Sequence, residues 1–221
     1  MDWTAYLPML WKGAAVTMTI TLAAIAVGAA LAFFFGILRV EGGPILSGIA
    51  VCYTEVFRGT SLFVQLFWFY YALPLVGLSF EPITTGILVL AAHVGGYGAE
   101  IVRGALSSVS QQQLEAARAL NFNRFQTLFR ISLPQAVVEM MPAFGNLAIE
   151  TLKLSSLVSL ISIADLTFAA QSIRNLTLDS TSIYSITLVC YFAMSLVLMM
   201  AINVIERFVR RGDALPRPGH S

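Results

Sequence analysis

Few residues of this chain could do chemistry, and several of them sit where charge is costly. Glu150 and Lys153 interrupt an otherwise apolar stretch. An ionisable group at membrane depth costs at least about 2.5 kcal/mol on insertion scales. Three residues apart on a helix, the two share a face and partly neutralise each other. They are expected to face a wet cavity or a neighbouring subunit, either as ligand contacts or as polar glue within a bundle. His93 lies in the small-residue run Ala-Ala-His-Val-Gly-Gly-Tyr-Gly-Ala, where it could hydrogen-bond in packing or face a polar path. Glu100 and Arg103 fit a simple pair on one helix face. No Gly-x4-Gly-Lys-Ser/Thr phosphate loop occurs, and neither paired carboxylates nor a Ser-His arrangement is present. No catalytic residue is therefore assigned, and no cofactor is expected. Cys52 and Cys190 lie far apart in apolar surroundings and read as small hydrophobes, with no metal site implied.

The elements that hold these residues are oily helices. Of 221 residues, 57% are hydrophobic and 11% charged, against about a quarter charged in a soluble domain. Mean hydropathy is positive, and the chain reads as an all-α integral membrane protein. A helix needs about 20 apolar residues to cross the hydrocarbon, which gives five spans, at approximately 13–38, 55–75, 82–103, 142–165 and 180–206. The first is too long for the core of a cleaved signal peptide and is read as retained. The third should be central, because its small residues let backbones approach closely. Residues 1–211 are expected to form a single transmembrane domain with a polar loop at 104–141, and 212–221 a disordered tail.

Five spans place the termini on opposite sides. Arg39, Arg58, Arg103, Arg118, Arg124, Arg130, Arg207, Arg210, Arg211 and Arg217 fall on one side, against Lys12 and Arg174 on the other. By the positive-inside rule the C-terminus is cytoplasmic and the N-terminus extracytoplasmic. The loop at 104–141 is then cytoplasmic too.

Within that loop, Glu115-Ala116-Ala117 and Leu120 form a short helical run that Asn121 to Asn123 breaks. A second amphipathic run continues to Leu133, where Pro134 is expected to stop it. A Glu-Ala-Ala triplet, a turn residue six positions after the Glu, and Ile-x-Leu-Pro ten positions beyond the turn resemble the cytoplasmic coupling loop of bacterial ABC importer permeases. Asn121 stands where that family usually has Gly, and Asn is the residue next most tolerant of left-handed backbone. Other stretches resemble the polar amino-acid branch of the family, of the histidine, glutamine, opine or ectoine type. They are Arg58-Gly59-Thr60 with Gln65, Tyr97-x-Ala-Glu100-Ile-x-Arg103-Gly104, and Lys153-Leu-Ser155-Ser156-Leu.

The resemblance implies a type I ABC importer permease fold, with Glu115, Ala116, Ala117, Leu120, Asn121, Leu133 and Pro134 engaging the ATPase. His93, Glu150, Lys153, Ser155 and Ser156 are the candidates for a translocation path. The implied partners are two ATPase subunits, a second identical or paralogous permease, a periplasmic solute-binding protein and a polar amino acid or compatible solute. The implied location is the bacterial inner membrane, N-terminus periplasmic, with membrane lipid around the chain and no nucleic acid partner. An ion-gradient-driven secondary transporter or channel is the competing class, and would call for inverted repeats and discontinuous spans, neither of which the sequence displays. A membrane enzyme is the third class, and lacks a catalytic constellation.

Overall fold

A computed structural model describes residues 3–212. Helix α1, Trp3–Glu41, runs through the first apolar stretch and ends at Arg39 and the Gly-Gly-Pro turn. Helix α2, Pro44–Gly59, starts with Pro at its first turn, where the missing amide costs nothing. Helix α3, Leu62–Phe67, extends through a π turn and a 3-10 turn to Val76. Between α2 and α3 the chain bends by 101°. The carbonyls freed at this corner are satisfied by one side chain: Gln65 Nε2 donates to Phe57 O at 3.2 Å and to Thr60 O at 3.3 Å, and also to the Thr60 hydroxyl at 2.7 Å. The expected span at 55–75 thus contains a right-angled break. Hydropathy is blind to it because the corner residues Gly59, Thr60 and Ser61 carry no charge.

Helix α4, Pro82–Ser107, is the central element. It lies against α1 so closely that a Cβ added to Gly28 would come within 2.5 Å of Val94, and one on Gly36 within 2.6 Å of Val102. Two faces that interlock at this range behave as one rigid body. Helices α5, Gln111–Ala119, and α6, Arg124–Thr127, form the polar hairpin. A π turn at Leu128–Ser132 then leads directly into α7, Leu133–Leu154. Pro134 therefore does not stop the second run. It occupies the first turn of the next helix, where its fixed φ suits the start of a new segment.

Glu150 and Lys153 stay within α7, which passes into a 3-10 segment at Ser155–Ile161. The hydroxyls of Ser155 and Ser156 donate to the carbonyls of Leu152 and Lys153, at 2.7 and 2.8 Å, and thereby tighten this transition. Helix α8, Leu166–Thr177, is capped by Asp165, and α9, Ser180–Gly212, closes the described chain. Among the described residues four helical stretches are long and apolar enough to cross a membrane, and five if the bent α2–α3 pair counts as one. The tail expected at 212–221 lies, beyond Gly212, outside the described residues.

Asp165 is completely buried where α1, α8 and α9 meet. It accepts from Phe168 N at 2.9 Å and from the Tyr191 hydroxyl at 3.3 Å, while Leu166 N donates to Thr17 Oγ1 of α1. It stands where the fourth apolar stretch ends and packs between the first and the fifth.

Candidate coupling element and translocation groove

The hairpin α5–α6 is built by two local devices in succession. Asn121 adopts a left-handed backbone with φ 61°. Phe122 N then donates to Ala117 O at 3.0 Å, and Asn121 N to Arg118 O at 2.9 Å, the two bonds that close a helix in a Schellman motif. Two residues on, a capping box opens α6: Asn123 Oδ1 accepts from Gln126 N, and Gln126 Oε1 accepts from Asn123 N. The bend is therefore specified by its own sequence.

The two faces of α5 differ. Ala117 is 1% exposed and packs into the chain itself, whereas Leu120 is 71% exposed and Glu115 and Ala116 also face outward. The sequence grouped Ala117 with the outward residues, but it is an inward anchor. The hairpin is held from beneath by Leu128, which joins Val102, Ala105 and Leu106 of α4 and Ala136 and Met140 of α7 in one apolar cluster. Ser108, just after α4, also donates to the Glu139 carboxylate of α7. Leu133 is half-buried beside this cluster, and Pro134 is exposed.

Beside it lies a groove of about 330 Å³ between α2, α4 and α7, lined in part by Arg58, Tyr97, Glu100, Asn146 and Glu150. The expected Glu100–Arg103 pair is formed, with Nε to Oε2 at 2.9 Å. It belongs to a larger nest, for Arg39 of α1 bonds the other carboxylate oxygen and Arg58 of α2 approaches it to 3.7 Å. The Arg58 guanidinium also lies 5.3 Å from the Tyr97 ring centroid, within the range of a cation–π contact.

The residues expected on a path are only partly brought together. Glu150 lines the groove and Lys153 does not. Both are exposed, and no ion pair joins them among the described residues. Ser155 is buried and self-bonded to its helix. His93 is 7% exposed, packs on Tyr97 with ring centroids 4.6 Å apart, and leaves both ring nitrogens without a hydrogen-bond partner. An orphaned buried imidazole marks a place where water or a polar ligand belongs.

Residues 28–211, which include the hairpin and the groove, match the family described as binding-protein-dependent transport system inner membrane component. The chain belongs to this family. Like its other members it is a multi-pass inner membrane component, a permease of the ABC importer class. One relative, a probable amino-acid ABC transporter permease protein, y4tF, of Sinorhizobium fredii, is 50% identical over 96% of this chain and 91% of its own length. The glutamine transport system permease protein GlnP of Escherichia coli is 34% identical over 93% and 96%. Among solved structures, an amino acid ABC transporter crystallised with histidines superposes with a TM-score of 0.85 at 32% identity, covering 93% of this chain and 96% of that one. A methionine ABC transporter, MetNI, in an inward-facing form shares the fold at a TM-score of 0.78 and 19% identity, over 95% and 97% of the two chains. The all-helical type I importer permease architecture is thus the fold of this inner membrane component.

For this permease, sequence reasoning missed Arg39, Arg58, Tyr97 and Asn146 as members of one polar site. Arg39 and Arg58 read as inside markers at helix ends, and only the packing of α1 and α2 on α4 brings them to Glu100. The one available signal was the Tyr97/Glu100/Arg103 spacing, which puts all three on neighbouring turns of one helix.

Proposed function

We propose that this chain is the permease subunit of an ATP-driven importer for a polar amino acid or an amino-acid-like compatible solute. It works with two ATPase subunits, a second permease and a periplasmic binding protein. In this reading the N-terminus is periplasmic, the C-terminus is cytoplasmic, and residues 1–211 act as one transmembrane domain. The permease contributes no ATP chemistry of its own. The outward face of α5, with Glu115, Ala116 and Leu120, seats in the ATPase, and Asn121, Leu133 and Pro134 fix how the hairpin joins α7. The solute passes along the groove between α4 and α7, with Glu150 and His93 as its polar contacts. Lys153, in the last turn of α7, and Ser156, in the 3-10 segment that follows, face the second permease, and Ser155 shapes the end of the helix.

The observation that carries the reading is the hairpin itself. It is a locally self-specified element, tied through Leu128 to the apolar cluster on α4 and α7, that leaves Leu120 bare. Helix α5 starts at Gln111, so Glu115 stands in mid-helix and not at its start; a bare leucine together with this outward carboxylate suits a partner cleft that supplies apolar contact and a basic group. Full-length likeness to relatives named for amino-acid transport supports the solute class. The test is uptake of radiolabelled polar amino acids by proteoliposomes holding the permease, its ATPases and the binding protein. Accumulation should require ATP on the ATPase side. Accumulation driven by an ion gradient without ATP would overturn the proposal.

A further inference from the structure

We infer that the cavity between the end of α1 and the polar hairpin holds one membrane phospholipid with an ethanolamine headgroup, its phosphate on Arg124 and its ammonium on Glu41. The cavity, of about 210 Å³, is lined by Ile37 and Glu41 of α1, Arg124 and Phe125 of α6, and Leu128 and Phe129 of the π turn that follows. It shares no lining residue with the groove between α2, α4 and α7.

The depth of the cavity selects a lipid. Helix α1 carries no charge from Gly13 to Leu38 and ends at Glu41. Ile37 therefore closes a stretch that spans hydrocarbon, and Glu41 stands one turn further on, at the level of the headgroups. Leu128 belongs to the apolar cluster on α4 and α7, and Ile37 packs against it, so the two make an apolar floor. Phe125 and Phe129 are 74% and 52% exposed, and their rings stack with centroids 5.8 Å apart. Two bare rings beside the end of a span stand where interfacial aromatics belong, and their faces suit the glycerol backbone and first methylenes of a lipid.

Charge selects the headgroup. Glu41 and Arg124 line one cavity, yet among the described residues neither enters an ion pair. A ligand that brings both signs satisfies both. A guanidinium takes phosphate oxygens in a planar fork, and a carboxylate accepts from a primary ammonium, which carries three donors. An anionic headgroup that lacks the ammonium leaves Glu41 as a repelling charge. A choline headgroup has the positive charge but no N–H to donate.

The experiment titrates the purified full-length permease, in mild detergent, with ethanolamine, choline and glycerol phospholipids of identical acyl chains, and follows bound lipid by native mass spectrometry. The ethanolamine lipid should bind about fivefold more tightly than the other two, near the upper end for one exposed ion pair. Glu41→Gln should erase that preference, and Arg124→Gln should weaken all three lipids alike. Both side chains are exposed, so the melting temperature without added lipid should stay the same. An ethanolamine preference that survives Glu41→Gln, or lipid binding unchanged in Arg124→Gln, overturns the site. Phosphoethanolamine without acyl chains that competes at equal concentration also overturns it, because the ligand is then a soluble phosphate ester. Displacement of the lipid by added ATPase subunits overturns it too, and assigns this face to a protein. If Arg124→Gln fails to fold, the Glu41→Gln result alone decides.

Discussion

The amide of Phe122 donates to the carbonyl of Ala117 across the left-handed Asn121, and this one bond turns the polar loop back toward the membrane. A non-glycine residue at positive φ bears a steric cost of about 1–2 kcal/mol that glycine avoids, and asparagine partly offsets it by local hydrogen bonding. Asn121→Gly is expected to keep or slightly raise the thermal stability of the purified permease. Asn121→Val, β-branched and intolerant of this backbone, should lower it by about 1–2 kcal/mol and weaken ATPase binding. Equal melting curves for the two variants would disprove the role of the turn.

The α1–α4 contact makes a second prediction. A Cβ on Gly36 would stand 2.6 Å from Val102 Cβ, with Ala99 O at 2.9 Å. Gly36→Leu must push the helices apart, at a cost of about 1–3 kcal/mol or more. By contrast Gly43, with open space around it, should accept Ala with little change. Thermal unfolding in detergent, followed by loss of the monodisperse peak, checks both.

How much of this was legible beforehand depended on whether the determinant was local. Hydropathy located the long apolar helices, and the Asn121–Asn123 break was readable because both of its caps lie within a few residues. The corner after Gly59 was invisible, since its carbonyls are satisfied by Gln65 from the following helix. The inward turn of Ala117 was equally hidden. Ala116, Ala117 and Ala119 are alike in sequence on one short helix, and only the folded chain decides which of them is buried. The gathering of Arg39 and Arg58 at Glu100 needs residues distant in sequence to be packed together.

Asp165 holds the start of α8. Its carboxyl oxygen accepts from Phe168 N at 2.9 Å inside a fully buried junction. Asp165→Asn keeps an oxygen at this cap and should hold the melting temperature close to that of the unmodified permease, whereas Asp165→Leu leaves the Phe168 amide without that partner and should cost about 1–2 kcal/mol. Equal melting temperatures for Asp165→Leu and the unmodified permease would contradict the capping role.

The central claim is that the outward face of α5 seats the ATPase, and co-purification of the ATPase with two permease variants tests it most directly. Leu120 is exposed, so Leu120→Glu should leave the melting temperature of the permease unchanged while abolishing ATPase recovery. Ala117 is buried within the chain, so Ala117→Leu should lower the melting temperature by overpacking, and any loss of ATPase should follow that instability. Full ATPase recovery with Leu120→Glu, at normal expression and with ATP-driven uptake intact, would contradict the account.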